Sequence, residues 1–331
     1  MALTTDLISF TFRKRSATIK DAVFNEVTFL NWLKAKARVT SDGGTTMIRP
    51  LRHTRNTTVQ AFTGTDLLDT TIQQVHTSAE FNWRFYAATV GITIEEMAKN
   101  SGKAQVVRLL DAREKDVKLS FQTQLETDLF DTTPGAKSLD CIADAVADDP
   151  TSNPSRANYG GIDRANTFWR NKYQVDVDST LSASSTWAFS TKGISYMRTM
   201  YRKCSMGPNM DTPDLMIGTG DVYDAYEAEV PQHMRIRTKE PDVDFGFPNL
   251  RFKKAEFIYS DALTGDNTTG HRIYFLNSST WEMPVHKDWD FKMEPFQRPI
   301  NQPVMSAMVI AALNAFCLNP VRNGVLLGNK V

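Results

Sequence analysis

Apolar positions between Ser101 and Phe130 recur at helical spacing. Val106, Leu110, Val117, Phe121 and Leu125 are separated by 4, 7, 4 and 4 residues, so they fall on one narrow face. Ser101 is positioned to cap the start, and no proline follows until Pro134. Asp111 with Lys115, and Glu114 with Lys118, are acid-then-base pairs four apart on the other side. The pattern predicts one helix over 101–130, about 45 Å long at 1.5 Å per residue. A helix of this length with so thin an apolar stripe reads as a strut, and the alternative is the core helix of an ordinary α+β enzyme.

The region before the strut changes character twice. Asp21 to Arg38 predicts a helix with Val23, Val27, Leu30 and Leu33 inward and Trp32 at its flank, and Ser41-Asp42-Gly43-Gly44 then breaks the chain. Thr45 to Glu80 is rich in Thr, Val, Ile and Gln and poor in helix formers. It predicts a two-stranded excursion with its tip between about 53 and 68. Arms of about 15 residues would reach about 50 Å. The excursion has too few apolar residues to bury itself, and a lone hairpin is marginal in water, so a neighbouring subunit is the expected support. Arg49, Arg52 and Arg55 recur three apart in it and read either as a solvated face or as candidates for inter-subunit ion pairs, with Phe62 as an apolar contact. Alternation at Phe81, Trp83 and Phe85 predicts a half-buried strand running on to Ile94.

After Pro134 the pattern becomes mixed. Residues 148–171 are loop-rich. Ser190 is expected to cap a helix over Thr191–Cys204 with Ile194, Met197 and Tyr201 on one face, and Gly207-Pro208 to close it. Leu215-Met216-Ile217 predicts a short strand, and Thr219 the cap of a helix through Tyr223 and Tyr226. Further strands are expected at Phe252–Tyr259 and Ile273–Leu276. Strand and helix alternate, so about 138–285 reads as a compact mixed domain. Val325-Leu326-Leu327 is expected to form a last strand pairing back beside the strut.

Composition narrows the chemistry. Lys plus Arg and Asp plus Glu number 38 each in 331 residues, which argues against a strongly cationic nucleic-acid binder. The positive charge that is concentrated lies in the first 20 residues, where Arg13, Lys14, Arg15 and Lys20 face one acid, Asp6. That basic arm is either a solvated terminus or a contact with a polyanion or a neighbour. Cys141, Cys204 and Cys317 are odd in number and far apart, so neither a disulfide framework nor a zinc site is expected, and a reducing compartment fits. The first residues lack the pattern of a secretory leader. The longest apolar run, Met305 to Leu318, is too short to span a bilayer, so a soluble protein is expected. The five histidines are scattered, and no nucleophile elbow or phosphate loop occurs. Gly218-Thr219-Gly220 before a helix is a weak anion-binding signal and more simply a strand-to-helix turn. No catalytic residue, cofactor or metal is expected.

Six stretches, in their order along nearly the whole chain, resemble the major capsid proteins of tailed bacteriophages, which have the HK97 fold. They are TSAEFNW at Thr77–Trp83, EEMAKNSG at Glu95–Gly102, YGGIDRANTFW at Tyr159–Trp169, TPDLMIG at Thr212–Gly218, FGFPNLRF at Phe245–Phe252 and NPVRNGVL at Asn319–Leu326, with the strut among them. The resemblance implies an α+β capsid fold with an N-arm over 1–40 and an extended E-loop hairpin over 41–84. A P-domain would follow over 85–137 with its spine helix at 101–130, then an A-domain of mixed sheet and helices over 138–285. Residues 286–331 would return to the P-domain with the C-terminal strand. It implies a homo-oligomer of pentamers and hexamers in an icosahedral virion head, assembled in the host cytoplasm around double-stranded DNA, with no membrane. A portal protein and decoration proteins are the implied partners, with either a separate scaffolding protein or assembly without one, and Arg13, Lys14 and Arg15 are the implied DNA-facing residues. Some relatives crosslink through an E-loop lysine. Here no lysine lies between Lys36 and Lys99, so no such isopeptide bond is expected. The alternatives are an encapsulin-like compartment shell and, less favoured, a soluble α+β enzyme with a site around Gly218 to Asp221.

Overall fold

The computed structural model describes residues 28–99, 103–131, 135–151, 156–174, 193–206, 211–229, 250–260, 262–263, 271–300 and 302–328, with residues 97, 103–111 and 114 described by their backbone alone. Arg13, Lys14, Arg15, Val23, Val27, Ser101, Pro134, Ser190 and the Gly207-Pro208 pair therefore lie outside the described residues, as do the side chains of Val106, Leu110, Asp111 and Glu114.

Helix α1 (Thr28–Ala35) buries Phe29, Leu30, Trp32 and Leu33. Trp32, expected at the flank, is inside, because α1 packs against a sheet whose Trp281 meets Phe29 edge-on. Strands β1 (Val39–Asp42), β2 (Thr46–Arg52), β3 (His76–Asn82) and β4 (Arg84–Thr93) follow, then α2 (Ile94–Lys99) and the long helix α3 (Lys103–Phe130). Thr93 starts α2 as a capping box: the Glu96 amide donates to Thr93 Oγ1, and the Thr93 amide donates to the Glu96 carboxylate. On α3, Val117, Phe121 and Leu125 are buried as their spacing predicts, and Leu129 and Phe130 extend the buried face.

The middle of the chain gives α4 (Ile142–Ala145), the small hairpin β5 (Asn158–Tyr159) and β6 (Ile162–Asp163), β7 (Lys172–Gln174), α5 (Ile194–Cys204), β8 (Leu215–Gly218) and α6 (Gly220–Glu229). Residues 250–259 form two strands, β9 (Leu250–Phe252) and β10 (Ala255–Tyr259), joined by a tight turn in which Lys253 has φ 57°. The remaining strands are β11 (His271–Leu276), β12 (Trp281–His286), β13 (Lys292–Met293), β14 (Val304–Leu313), β15 (Phe316–Cys317) and β16 (Gly324–Gly328).

Two six-stranded sheets organise these elements. In the first, β4 and β14 pair antiparallel along their whole lengths, from Arg84 opposite Leu313 to Thr93 opposite Val304. β12 and β13 also join β14, and β1 and β15 join β12. α3 packs against β4, and Phe121 meets Phe291 edge-on. The second sheet runs β7-β16-β11-β8-β10-β9. Its central strands β16, β11 and β8 are buried on both faces, and their side chains alternate between them. Met216, Phe257, Ile273, Phe275 and Leu326 pack with α5 and α6. Leu215, Ile217, Ile258, Tyr274, Leu276, Val325 and Leu327 face the core shared with α3 and the first sheet.

The last strand departs from expectation. β16 lies inside the second sheet, between β11 and β7, rather than beside the strut. Gly324 allows this placement: a Cβ there would lie 2.7 Å from Cys204 Sγ and 3.0 Å from the Lys172 carbonyl, and against the Met200 methyl. Conversely β12, at 281–286, lies in the first sheet.

Candidate assembly surfaces

The ribbon over 45–82 leaves the body as β2 and β3, paired in register from Thr46 opposite Asn82 to Arg52 opposite His76. The ladder is seven residues per strand, about half the arm length expected. Beyond it the chain runs out and back without regular structure, because side chains capture its backbone. Asn56 Oδ1 accepts from the Thr58 amide at 2.9 Å, Asp69 Oδ1 from the Thr71 amide at 2.9 Å, and Asp66 Oδ2 from the Thr63 amide at 2.8 Å. Such local bonds compete with a strand ladder. The two runs touch where Gln73 Oε1 accepts from the Thr57 amide.

This distal ribbon carries large apolar groups that its own chain leaves in water. Val59 is 69% exposed, Phe62 65%, Leu67 96%, Leu68 53% and Ile72 98%. Phe62, named from the sequence as an apolar contact, is among these exposed groups, and Leu67 and Ile72, which that reading did not name, are more exposed still. Their signal was visible as isolated apolar residues in a segment with nothing to pack on.

The three arginines separate. Arg49, expected to reach a neighbour, is engaged within its own chain. Its Nε and Nη2 donate to Glu282 at 3.0 and 2.7 Å, and Nη2 also donates to Asp42 at 2.9 Å. The Arg49 bond holds the Asp42 carboxyl below its usual range. Glu282 and Asp42 together draw the guanidinium inward, because β12 and β1 run parallel beneath the ribbon's root. Arg52 donates to the Thr54 carbonyl, and it and Arg55 are exposed.

At the root, three of the distant sequence stretches meet. Phe81 of β3 stacks flat on Phe316 at 4.1 Å and meets Tyr159 edge-on. The Glu80 amide donates to the Gly160 carbonyl at 3.0 Å. Gly160 has φ +56°, and a Cβ there would lie 2.8 Å from the Phe81 ring. The Tyr159 hydroxyl accepts from the Cys317 amide, and Trp169 Nε1 donates to the Tyr159 carbonyl. Nearby, buried Asn323 donates to Thr280 and the Asn319 carbonyl, while its carbonyl oxygen accepts from the Asn277 amide and the Trp281 indole. A cleft of about 550 Å³ opens beside the root. Two ion pairs line it, Arg84 with Asp140 at 2.8 Å and Arg156 with Asp144 at 3.3 Å.

The described residues hold no group of acids, histidines and cysteines arranged for a metal. All three cysteines are buried and free, with burial pushing each thiol up to about 12. At Gly218 to Asp221 the Thr219 hydroxyl lies 3.4 Å from His271 Nδ1, and Asp221 brings its own carboxylate to the helix start. Among the described residues no helix is long and apolar enough to cross a membrane.

No family model and no curated protein matches the chain. Solved structures do match along nearly its full length. The capsid asymmetric unit of cyanophage A-1(L) superposes with a TM-score of 0.63 at 12% identity, over 93% of each chain. The capsid of the native GTA particle gives 0.56 at 9% identity, over 89% of this chain and 90% of that one. The holo-SrpI encapsulin complex of Synechococcus elongatus PCC 7942 gives 0.53 at 11% identity, over 90% and 87%. The chain therefore has the α+β fold of phage major capsid proteins, as the resemblance of its sequence stretches implied. The encapsulin shares the same fold.

Proposed function

We propose that this chain is a major capsid protein that assembles with copies of itself into the pentamers and hexamers of an icosahedral phage head enclosing double-stranded DNA. The observation that carries this reading is the ribbon: apolar side chains held out in water on a frame fixed at its root. A free subunit gains nothing from that arrangement, and a symmetric assembly gains interface area from every copy.

A partly exposed apolar face on the body supports this reading as the receiving surface. The β4–β14 register puts Phe85, Ala87 and Thr89 on one face with Met308 and Ile310, opposite the face where Val90, Ile92, Ala307 and Val309 are buried. Phe85 and Met308 are exposed. On this reading the ribbon of one copy lies on that face of the next. The N-arm (1–40), E-loop (41–84), P-domain (85–137) and A-domain (138–285) keep the roles implied above. Residues 286–331 return to the P-domain but send β16 into the A-domain sheet. Arg13, Lys14 and Arg15 would face the packaged DNA, and portal, scaffolding and decoration proteins would be the partners.

The encapsulin match favours a second reading, a compartment shell with protein cargo. Negative-stain microscopy and sedimentation of the purified protein test both. Closed, uniform shells are expected, with nuclease-protected DNA when they are taken from lysed host cells. Protein cargo without DNA would favour the compartment, and a well-packed monomer would sink both.

A further inference from the structure

Helices α5 and α6 cover the same face of the second sheet, yet they carry opposite charge. α5 (ISYMRTMYRKC) has three cations and no acid. Its Arg198, Arg202 and Lys203 are exposed. α6 (GDVYDAYEAE) has four acids and no cation, and Asp221, Asp224 and Glu229 are exposed. The helices sit toward opposite edges. α5 rests on β7, β16 and β11, and α6 on β10 and β11, in a sheet whose order is β7-β16-β11-β8-β10-β9.

Helix physics alone does not produce these sets. Arg198 and Arg202 are four apart, and Asp221 and Asp224 three apart, so each set repels itself across neighbouring turns. Glu229 ends α6, where the helix dipole disfavours an acid. Arg202 and Lys203 near the end of α5, and Asp221 at the start of α6, do suit the dipole, and Asp221 also lies 3.7 Å from His271. Those local fits leave Arg198, Asp224 and Glu229 without a reason inside their own helices.

The geometry points to a head-to-tail contact in which the basic α5 flank of one copy meets the acidic α6 flank of the next. The occupant is a second copy of this chain, an inference that rests on the shell reading above. Two α5 flanks repel, as do two α6 flanks, so a two-fold contact through either helix is disfavoured. A rotation that pairs α5 with α6 satisfies every copy in a closed ring. Charge sign at these two flanks then sets the polarity of the ring, while the ribbon supplies apolar area.

Charge exchange tests this. Arg198→Glu with Arg202→Glu, or Asp224→Lys with Glu229→Lys, should each raise the protein concentration needed for assembly at least about tenfold, since facing like charges cost several kcal/mol. All four substitutions in one chain should restore the threshold to within about threefold of wild type, because the signs again oppose. The neutral pair Arg198→Gln with Arg202→Gln, which cannot repel, should raise it roughly threefold. It serves if a reversed variant loses its wild-type circular dichroism. Assembly of folded single-helix variants at the wild-type threshold, or a four-fold variant no better than its parents, overturns the inference and leaves the shell reading standing. Rings that persist in the α5 variant while retained nucleic acid is lost would assign α5 to a polyanion and overturn it too. A wild-type chain that never assembles removes both readings.

Discussion

Replacing Phe62, Leu67 and Ile72 together by serine separates a ribbon that docks on a neighbour from one that belongs to its own body. In the free chain these side chains are 65%, 96% and 98% exposed. Their loss should therefore leave folding stability within about 0.5 kcal/mol of wild type, as for surface positions generally. In the proposed assembly the same groups would become buried. Full burial of such a side chain contributes about 1.5–3 kcal/mol. Scaled by the exposure each has to lose, the three amount to roughly 4–8 kcal/mol. An interface recovers a part of that, and half gives about 2–4 kcal/mol per contact. At about 1.4 kcal/mol per tenfold, the assembly threshold should rise from roughly thirtyfold to several hundredfold. Urea unfolding below the threshold measures the first quantity, and light scattering with sedimentation measures the second. Assembly at the wild-type concentration refutes the docking argument. A loss of folding stability by 2 kcal/mol or more (about the size of one buried side chain) refutes it differently, by placing the ribbon against its own body.

Four further outcomes follow from the ribbon's root and from its composition. Glu282→Gln should loosen the Arg49 clamp and speed hydrogen exchange across residues 46–52 and 76–82 by about tenfold, the equivalent of one charge-assisted bond. The clamp should also fail in acid: Asp42 is held below its ordinary value of 3.8 by Arg49 and then by the Gly43 amide. A depressed carboxyl adds stability that is present above its unfolded value and lost as pH falls through its folded one, so Asp42→Asn should flatten the dependence below about pH 4 in acid unfolding followed by fluorescence. Gly160→Ala must hold φ +56° and set a methyl 2.8 Å from the Phe81 ring; a cost of about 2–4 kcal/mol is expected in urea unfolding, from the left-handed backbone and the overpacking together. Assembled shells boiled in detergent should run as one 37.3 kDa band, because no lysine lies in the ribbon, and higher covalent bands by mass spectrometry would contradict this.

The legible parts of the fold were those with a periodic signature. The narrow stripe of α3 and the alternation around Phe81 to Phe85 needed no partner to be read, since burial on one face imposes its own spacing. The ribbon was legible by what it lacks, enough apolar residues to stand alone. Its ladder was over-read because Asn56, Asp66 and Asp69 bond local amides, and composition does not say whether a threonine-rich run pairs or turns on itself. Arg49 was sent outward because its partner Glu282 lies 233 residues away and leaves no local trace. The same holds for β16. Val325-Leu326-Leu327 is apolar on both faces, and a strand buried on both sides fits any sheet interior equally well. What placed it was the bare Gly324 under Met200 and Cys204, a contact across three separate segments. Tyr159-Gly160-Gly161 read as a turn, while its role in receiving Phe81 depended on a ring that the turn itself does not contain.

An exposed ribbon with an incomplete ladder and large apolar side chains is also an aggregation hazard, since unpaired amides and carbonyls template further pairing. Here the hazard is confined. The paired part ends at Arg52 and His76. Beyond it, aspartate and asparagine side chains occupy several of the free amides, and Arg55, Asp66 and Asp69 put charge among the apolar groups. The tip is thus poor at adding strands to an arbitrary partner and remains able to bury side chains on a matching surface. That combination favours docking by shape over docking by ladder. The Arg49 clamp adds direction, because a ribbon held at its root presents its apolar groups at one angle to the body. Fixed angle and side-chain recognition together are what a repeated contact requires if each copy is to receive the next in the same way. On the proposed reading a subunit built so is unfinished alone, and symmetry completes it.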